Sequence, residues 1–149
     1  MSIIEDAAET VDLIEPWIYS QIVNDAQIMA LIGGEDRVSG TMSTDDPTVP
    51  YISILMQSTR DIQGNAGSII ANESLYQVKV VDATGSWDDL IPVAARLKAV
   101  LHHPGDCLTV PGGSLSCIRE RVIQYPEKVK GVQYRHLGAS WRIRASRDN

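Results

Sequence analysis

Val132-Gln-Tyr-Arg-His-Leu-Gly-Ala-Ser-Trp-Arg-Ile-Arg-Ala145 alternates with a period of two. Leu137, Ala139, Trp141 and Ile143 fall on one side, and His136, Ser140, Arg142 and Arg144 on the other. Such alternation is the pattern of a strand with one buried face. Burying unpaired guanidinium groups is expensive, so the arginine side is not expected to lie under another layer of the same chain. Leu115–Gln124 reads as a second strand, with Ile118 and Val122 facing one way and Cys117, Arg119 and Arg121 the other. Residues 124–131 read as the connection between the two. Both strands are thereby expected to carry arginines on the side away from the core.

Working upstream, Tyr51–Thr59 alternates with Ile52, Ile54 and Met56 on one side, and Ser74–Asp82 with Tyr76, Val78 and Val80 inward. Between them, residues 60–71 hold Gly64, Asn65 and Gly67 without periodicity and read as a long loop or the tip of a long hairpin. Two stretches carry the helical period instead. Ile14, Trp17, Ile18 and Ile22 share a face, with Asp12 and Glu15 resembling a capping box and Pro16 in the tolerant first turn. Leu90, Ile91, Ala94, Leu97 and Leu101 share another. Ser86 is a possible cap for this second helix, but Pro92 favours a start at Asp88 or Asp89. Asn24-Asp25 ends the first helix and caps a short one, AQIMALI, which Gly33-Gly34 stops. The polar run from Glu35 to Pro50 predicts an extended loop, with a short strand near Arg37–Gly40.

The order helix, helix, β, β, helix, β, β predicts an α+β fold. Its mainly antiparallel sheet has about four strands, two main helices pack on one face, and the loops or a hairpin are extended. With 149 residues, the chain fits one domain over 1–149, its first ten residues frayed or linker-like.

Charge is unevenly spread. The net charge is −6, which argues against generic tight binding to nucleic acid. Residues 1–114 hold 16 acids and 5 bases, whereas residues 115–149 hold 3 acids and 8 bases. Opposite surfaces of this kind serve solvation, and they also let copies of one chain attract head to tail. No apolar run is long enough for a membrane span. The acidic N-terminus lacks the basic and apolar regions of a signal peptide, so a reducing cytoplasm and free thiols are expected.

Chemistry concentrates in Leu101-His-His-Pro-Gly-Asp-Cys107, with Cys117 following. Histidine and thiolate bind zinc, but adjacent helical histidines point about 100° apart and no CxxC pair is present. A helix end explains the stretch better: His102 and His103 suit the negative end of the dipole, Pro104-Gly105 stops the helix, and Asp106 begins a turn. A pair of Cys107 or Cys117 with His136 has no supporting motif. No phosphate loop, dinucleotide fingerprint, nucleophile elbow or HExxH occurs. The expectation is therefore no catalytic, cofactor or metal site, and a protein that assembles.

The layout resembles the tail-completion or tail-terminator family of long-tailed bacteriophages and prophages. The resemblance is carried by Ile22-Val-Asn-Asp-Ala-Gln-Ile-Met-Ala-Leu-Ile-Gly-Gly34, Arg37-Val38, Asp46-Pro-Thr-Val-Pro-Tyr-Ile-Ser-Ile54, LYQVKVVDA, DLIPVAARLKAVLHH and the late hairpin, over about residues 15–145. It implies a structural virion protein at the head-proximal end of the tail, made in the host cytoplasm. Such a protein forms a ring, commonly a hexamer, on the tail tube and presents a surface to the head–tail connector protein. DNA passes through its lumen unread. Arg119, Arg121, Arg142 and Arg144 are the expected contacts to other subunits or the tube, and residues 60–72 a loop reaching the tube or lumen. The alternatives are a neck protein on the head side and a small Cys/His metal-dependent enzyme.

Overall fold

The computed structural model of the chain describes residues 3–39, 48–64, 69–83 and 86–148. Helices α1 (Ile3–Val23) and α2 (Ala26–Ile32) open the chain, followed by strands β1 (Val38–Ser39), β2 (Tyr51–Gln63) and β3 (Ile69–Asp82). Helix α3 (Ile91–Leu101) and strands β4 (His103–Val110), β5 (Gly113–Val129) and β6 (Val132–Arg147) complete it. The six strands form one sheet in the order β1-β2-β3-β6-β5-β4, antiparallel except where β1 runs parallel to β2.

The helices lie on one face. Ile14, Ile18 and Ile22 of α1 and Val93, Leu97 and Leu101 of α3 are buried against Tyr76, Val78, Val80, Ala139, Trp141 and Ile143 of the central strands. Fully burying side chains of this size stabilises by roughly 1.5–3 kcal/mol each, which makes this layer the main source of stability. Tyr76 donates its hydroxyl hydrogen to Glu15 Oε1 at 3.3 Å, tying α1 to the centre of the sheet.

Local chemistry explains several element ends. Asp25 caps α2 by accepting from the Ile28 N–H, and Gly33 closes it with its own N–H on the Met29 carbonyl. Asp25 also receives Arg96 of α3, at 2.5 Å between Oδ1 and Nη2, which fastens the short helix to the third one. Ser86 caps a single 3-10 turn, Trp87–Asp89, and α3 begins after it with Pro92 in its first turn. The cap expected at Asp88 or Asp89 is not found: Ser86 caps the 3-10 turn, and Leu90 stands at the start of α3 with no side-chain cap, although Pro92 does lie in the first turn.

Other expectations are corrected. Helix α1 begins at Ile3, so Asp12 is not its cap, Pro16 sits in its interior, and residues 3–10, expected to be frayed, are helical. Burial of the Ile14–Ile18–Ile22 stripe outweighs the lost backbone bond at the proline. The sheet has six described strands where about four were expected. The short strand near Arg37–Gly40 is β1, and its partner residues are Val38↔Ile52 and Ser39↔Ser53. Strand β4 was read as a turn. Its Pro104 and its irregular register between His103 and Leu108 are tolerable because β4 is an edge strand. Residues 124–129, read as a connection, continue β5, and only Lys130-Gly131 turn. Both have positive φ, 52° and 81°, as the tightest hairpin turns require. Residues 60–63 and 69–72 belong to the paired β2–β3 hairpin, consistent with the hairpin alternative. Residues 40–47 of the expected polar loop and residues 65–68 of the expected loop or hairpin tip lie outside the described residues.

Gly138 lets the two halves of the sheet meet. A Cβ there would stand 2.2 Å from the Val78 carbonyl oxygen and 2.4 Å from Lys79 Cα. Only a residue without a side chain allows β3 and β6 to approach this closely.

Candidate functional site

The side of each arginine follows from strand register. In β5, Cys117 is paired with Ile143 and Arg119 with Trp141, both core residues, so this part of β5 turns its odd-numbered residues toward the helices. A bulge between Arg119 and Arg121 then shifts the alternation by one. Beyond it Arg121 pairs with Ser140 and Val122 with Ala139. Arg121 therefore shares the helix-free face with Arg142 and Arg144, whereas Arg119 lies on the helix side. Of the four arginines expected on the open face, three are there. The facing read for β5 is also inverted before the bulge: Leu115 and Cys117 are buried in the core, while Ile118 pairs with Arg142. An extra residue in a strand cannot be seen in a period-two pattern, which is why the sequence misplaces Arg119 and Cys117.

The open face is charged but internally compensated. A row of side chains crosses three strands: Arg60 of β2 pairs with Glu73 of β3, and Glu73 with Arg144 of β6. Arg60 reaches Glu73 Oε1 at 2.9 Å, and Arg144 reaches Oε2 at 3.3 Å. Burial pushes the Glu73 carboxyl up, but the hydrogen bonds from Arg60 and Arg144 more than offset that and hold it below its usual value. Arg142 pairs with Glu120, the carboxylate delivered by the bulge. Arg121 is exposed and has no ion-pair partner among the described residues. The glutamates were missed in the sequence because each depends on a bulge: the Arg60–Glu73 register on one between Met56 and Ser58 of β2, and the side of Glu120 on the one in β5.

Beside these pairs lies a concavity of about 630 Å³ bordered by Glu73, Cys107, Ser116, Ile118, Arg142 and Arg144. A smaller groove, about 280 Å³, lies on the helix side between α3 and the β5–β6 hairpin. Ile91, Val122, Ala139 and Trp141 line it, with Lys98 and Arg119 as its cations.

At the opposite end of the open face, His136 is buried and stacks on Tyr125, with ring centroids 4.4 Å apart. Its Nε2 lies 3.3 Å from Glu127 Oε1, while Lys79 Nζ donates to the Tyr125 hydroxyl at 2.5 Å. Burial and then the Lys79 charge lower the His136 pKa, against an opposing pull from Glu127.

The residues of the LHHPGDC stretch do not converge. Leu101 is core. His102 follows the last turn of α3, and its Nδ1 accepts the Arg119 backbone N–H at 3.0 Å. His103 opens β4, with Nε2 3.2 Å from the Val100 carbonyl and its ring edge-on to Trp17. Cys107 is exposed, whereas Cys117 is buried among apolar groups that push its thiol up to about 12. That thiol is a poor nucleophile and a poor ligand. His136 faces away from the helices, seven positions along β6 from the partner of Cys117, so a Cys117–His136 pair does not form. No group of three or more His, Cys, Asp or Glu side chains able to hold a metal occurs among the described residues. Nor is any helix there long and apolar enough to cross a membrane.

No protein-family model matches the sequence, and no curated protein matches it. Among solved structures, a chain from the virion of a native gene transfer agent (GTA) particle has the same fold. The two superpose with a TM-score of 0.72 at 18% identity, over 91% of this chain and 96% of that one.

Proposed function

We propose that this chain is a structural subunit of a phage-like virion. Within that class, we read it as a tail-completion or terminator protein that closes into a ring at the head-proximal end of the tail tube. The observation that carries the reading is the likeness to a virion chain along nearly the full length of both. That likeness agrees with the independent resemblance of residues 15–145 to tail-completion proteins.

The geometry is consistent with this role. One face of the sheet supplies the core and the other stays open to a partner, carrying Arg121, Arg142 and Arg144. Those arginines are the proposed contacts to neighbouring subunits or the tube, and the β2–β3 hairpin is the proposed reach toward tube or lumen. A ring of a chain with charge −6 would neutralise no phosphates overall, so DNA could pass without being held. Its proposed partners are further copies of itself, commonly six in such rings, the tube protein and the head–tail connector.

The test is removal of the gene followed by electron microscopy of the particles. Overlong or unfinished tails are expected. Normal tails left unattached to heads would make the chain a neck protein instead. Complete, infectious particles would overturn the virion role.

A further inference from the structure

Two surface features outside the arginine face are complementary to each other. The first is the groove between α3 and the β5–β6 hairpin. Its rims, Ile91 and Val122, are each 53% exposed, more than any other large hydrophobic among the described residues. Together they leave a small apolar patch open beside the concavity. The groove carries cations, Lys98 and Arg119, and no carboxylate lines it. At about 280 Å³ it falls just below the usual small-molecule range of roughly 300–1,000 Å³ and has room for only a few side chains.

The second feature is the end of α2. Leu31 is 43% exposed there, and the 3-10 turn that follows adds Glu35 and Asp36, both exposed. It offers one apolar knob followed by two carboxylates. Arg37, the only nearby cation in sequence, is occupied otherwise: its Nη1 donates to the Val49 and Pro50 carbonyls.

The two features lie at different ends of the helix layer. Residues 31–37 lead directly into β1, which forms one edge of the sheet, whereas the groove lies over β5 and β6 toward the other edge. Although α2 packs on α3 through Asp25 and Arg96, its far end leads away from the groove toward β1, so the contact is sought between chains. Made between chains, it joins two different patches, and repetition of such a head-to-tail contact closes a ring when the rotation permits.

We propose that the end of α2 in one copy docks into the α3–β5 groove of the next, with Leu31 between Ile91 and Val122 and with Glu35 and Asp36 toward Lys98 and Arg119. This occupant rests on the reading of the chain as a self-assembling subunit. The apolar part supplies affinity and the charges fix direction, because the reversed arrangement would bring like charges together.

The test is cross-linking in a Cys107→Ser background, where the buried Cys117 stays unreactive. Leu31→Cys and Val122→Cys proteins are prepared separately and treated with a short bismaleimide alone and mixed. A covalent dimer in the mixture, absent from either variant alone, supports the contact. The full chain with Leu31→Asp should associate at least tenfold more weakly than wild type by light scattering, with an unchanged melting temperature. Glu35→Lys should weaken association similarly, and adding Lys98→Glu to it should restore it. Association that persists in Leu31→Asp, or assemblies that form without the cross-link, overturn this contact and leave the virion role standing. A specific cross-link from a chain whose removal leaves virions complete supports the contact and overturns the role. No cross-link at any concentration, including on purified tails, overturns the contact.

Discussion

The two cysteines show how far environment overrides residue type. Cys117 fills a core position between strand and helices, and Cys107 stands on an exposed edge strand. Cys117→Ser would bury a hydroxyl in an apolar site and should lower stability by about 1–3 kcal/mol. Cys107→Ser should stay within about 0.5 kcal/mol. Urea denaturation measures both, and a thiol reagent should modify one cysteine in the native protein and two in denaturant. Titration makes a second prediction. Burial lowers the His136 and His102 pKa values, so the unfolded chain takes up protons below about 6.5 that the folded chain resists. Stability should fall as pH drops from about 6.5 toward those lowered values. The Arg96 hydrogen bond lowers Asp25, and arginine contacts lower Glu73, so their contributions are present above about 4 and are lost as pH falls through the folded values. The urea midpoint should therefore decline in two steps, and His136→Gln should shrink the upper step alone. A flat profile between pH 6.5 and 5 would contradict the lowered pKa values of both histidines.

Elements here are decided by what they bury. Helix α1 runs through Pro16, against local propensity, because its isoleucines cover the sheet. The helical stripes of α1 and α3 and the alternation of β2, β3 and β6 are readable from residue spacing, because each element has one buried side. The interior start of α1, the edge strand β4 and the two bulges are not readable, since each depends on a neighbouring element. Gly138 belongs to the same class: nothing in its sequence context announces that β3 passes within 2.4 Å of where a Cβ would sit. Gly138→Ala should force the central strands apart and cost about 2 kcal/mol or more. The measurement is a denaturation curve. A variant as stable as the parent would mean the β3–β6 spacing adjusts freely.

At the scale of the whole molecule, charge separation in the sequence becomes partly paired on the surface. Glu73 and Glu120 meet three of the arginines, and such exposed pairs contribute little to folding, in the range of about 0–1 kcal/mol. Arg121 keeps its charge exposed on the open face, so it is the arginine whose loss should change association and not folding. Arg121→Glu should leave the melting temperature within about 1 °C, because exposed substitutions away from special features are near neutral. It should weaken assembly, most visibly at low salt, where surface charges act over more than the roughly 8 Å of physiological screening. Sedimentation at two salt concentrations checks this. Unchanged association would remove Arg121 from the proposed contacts.

The chain's own order of residues was enough for the α+β class, the three helices, the hairpin-rich sheet and the greasy and polar faces of its central strands. These follow from periodicity, which is a local property. Tertiary structure alone decided which face holds Arg119, which carboxylates meet Arg60, Arg142 and Arg144, and that an apolar groove opens between α3 and the last two strands. Those outcomes depend on register, and a single inserted residue at a bulge exchanges the two faces of a strand without leaving a mark in its composition.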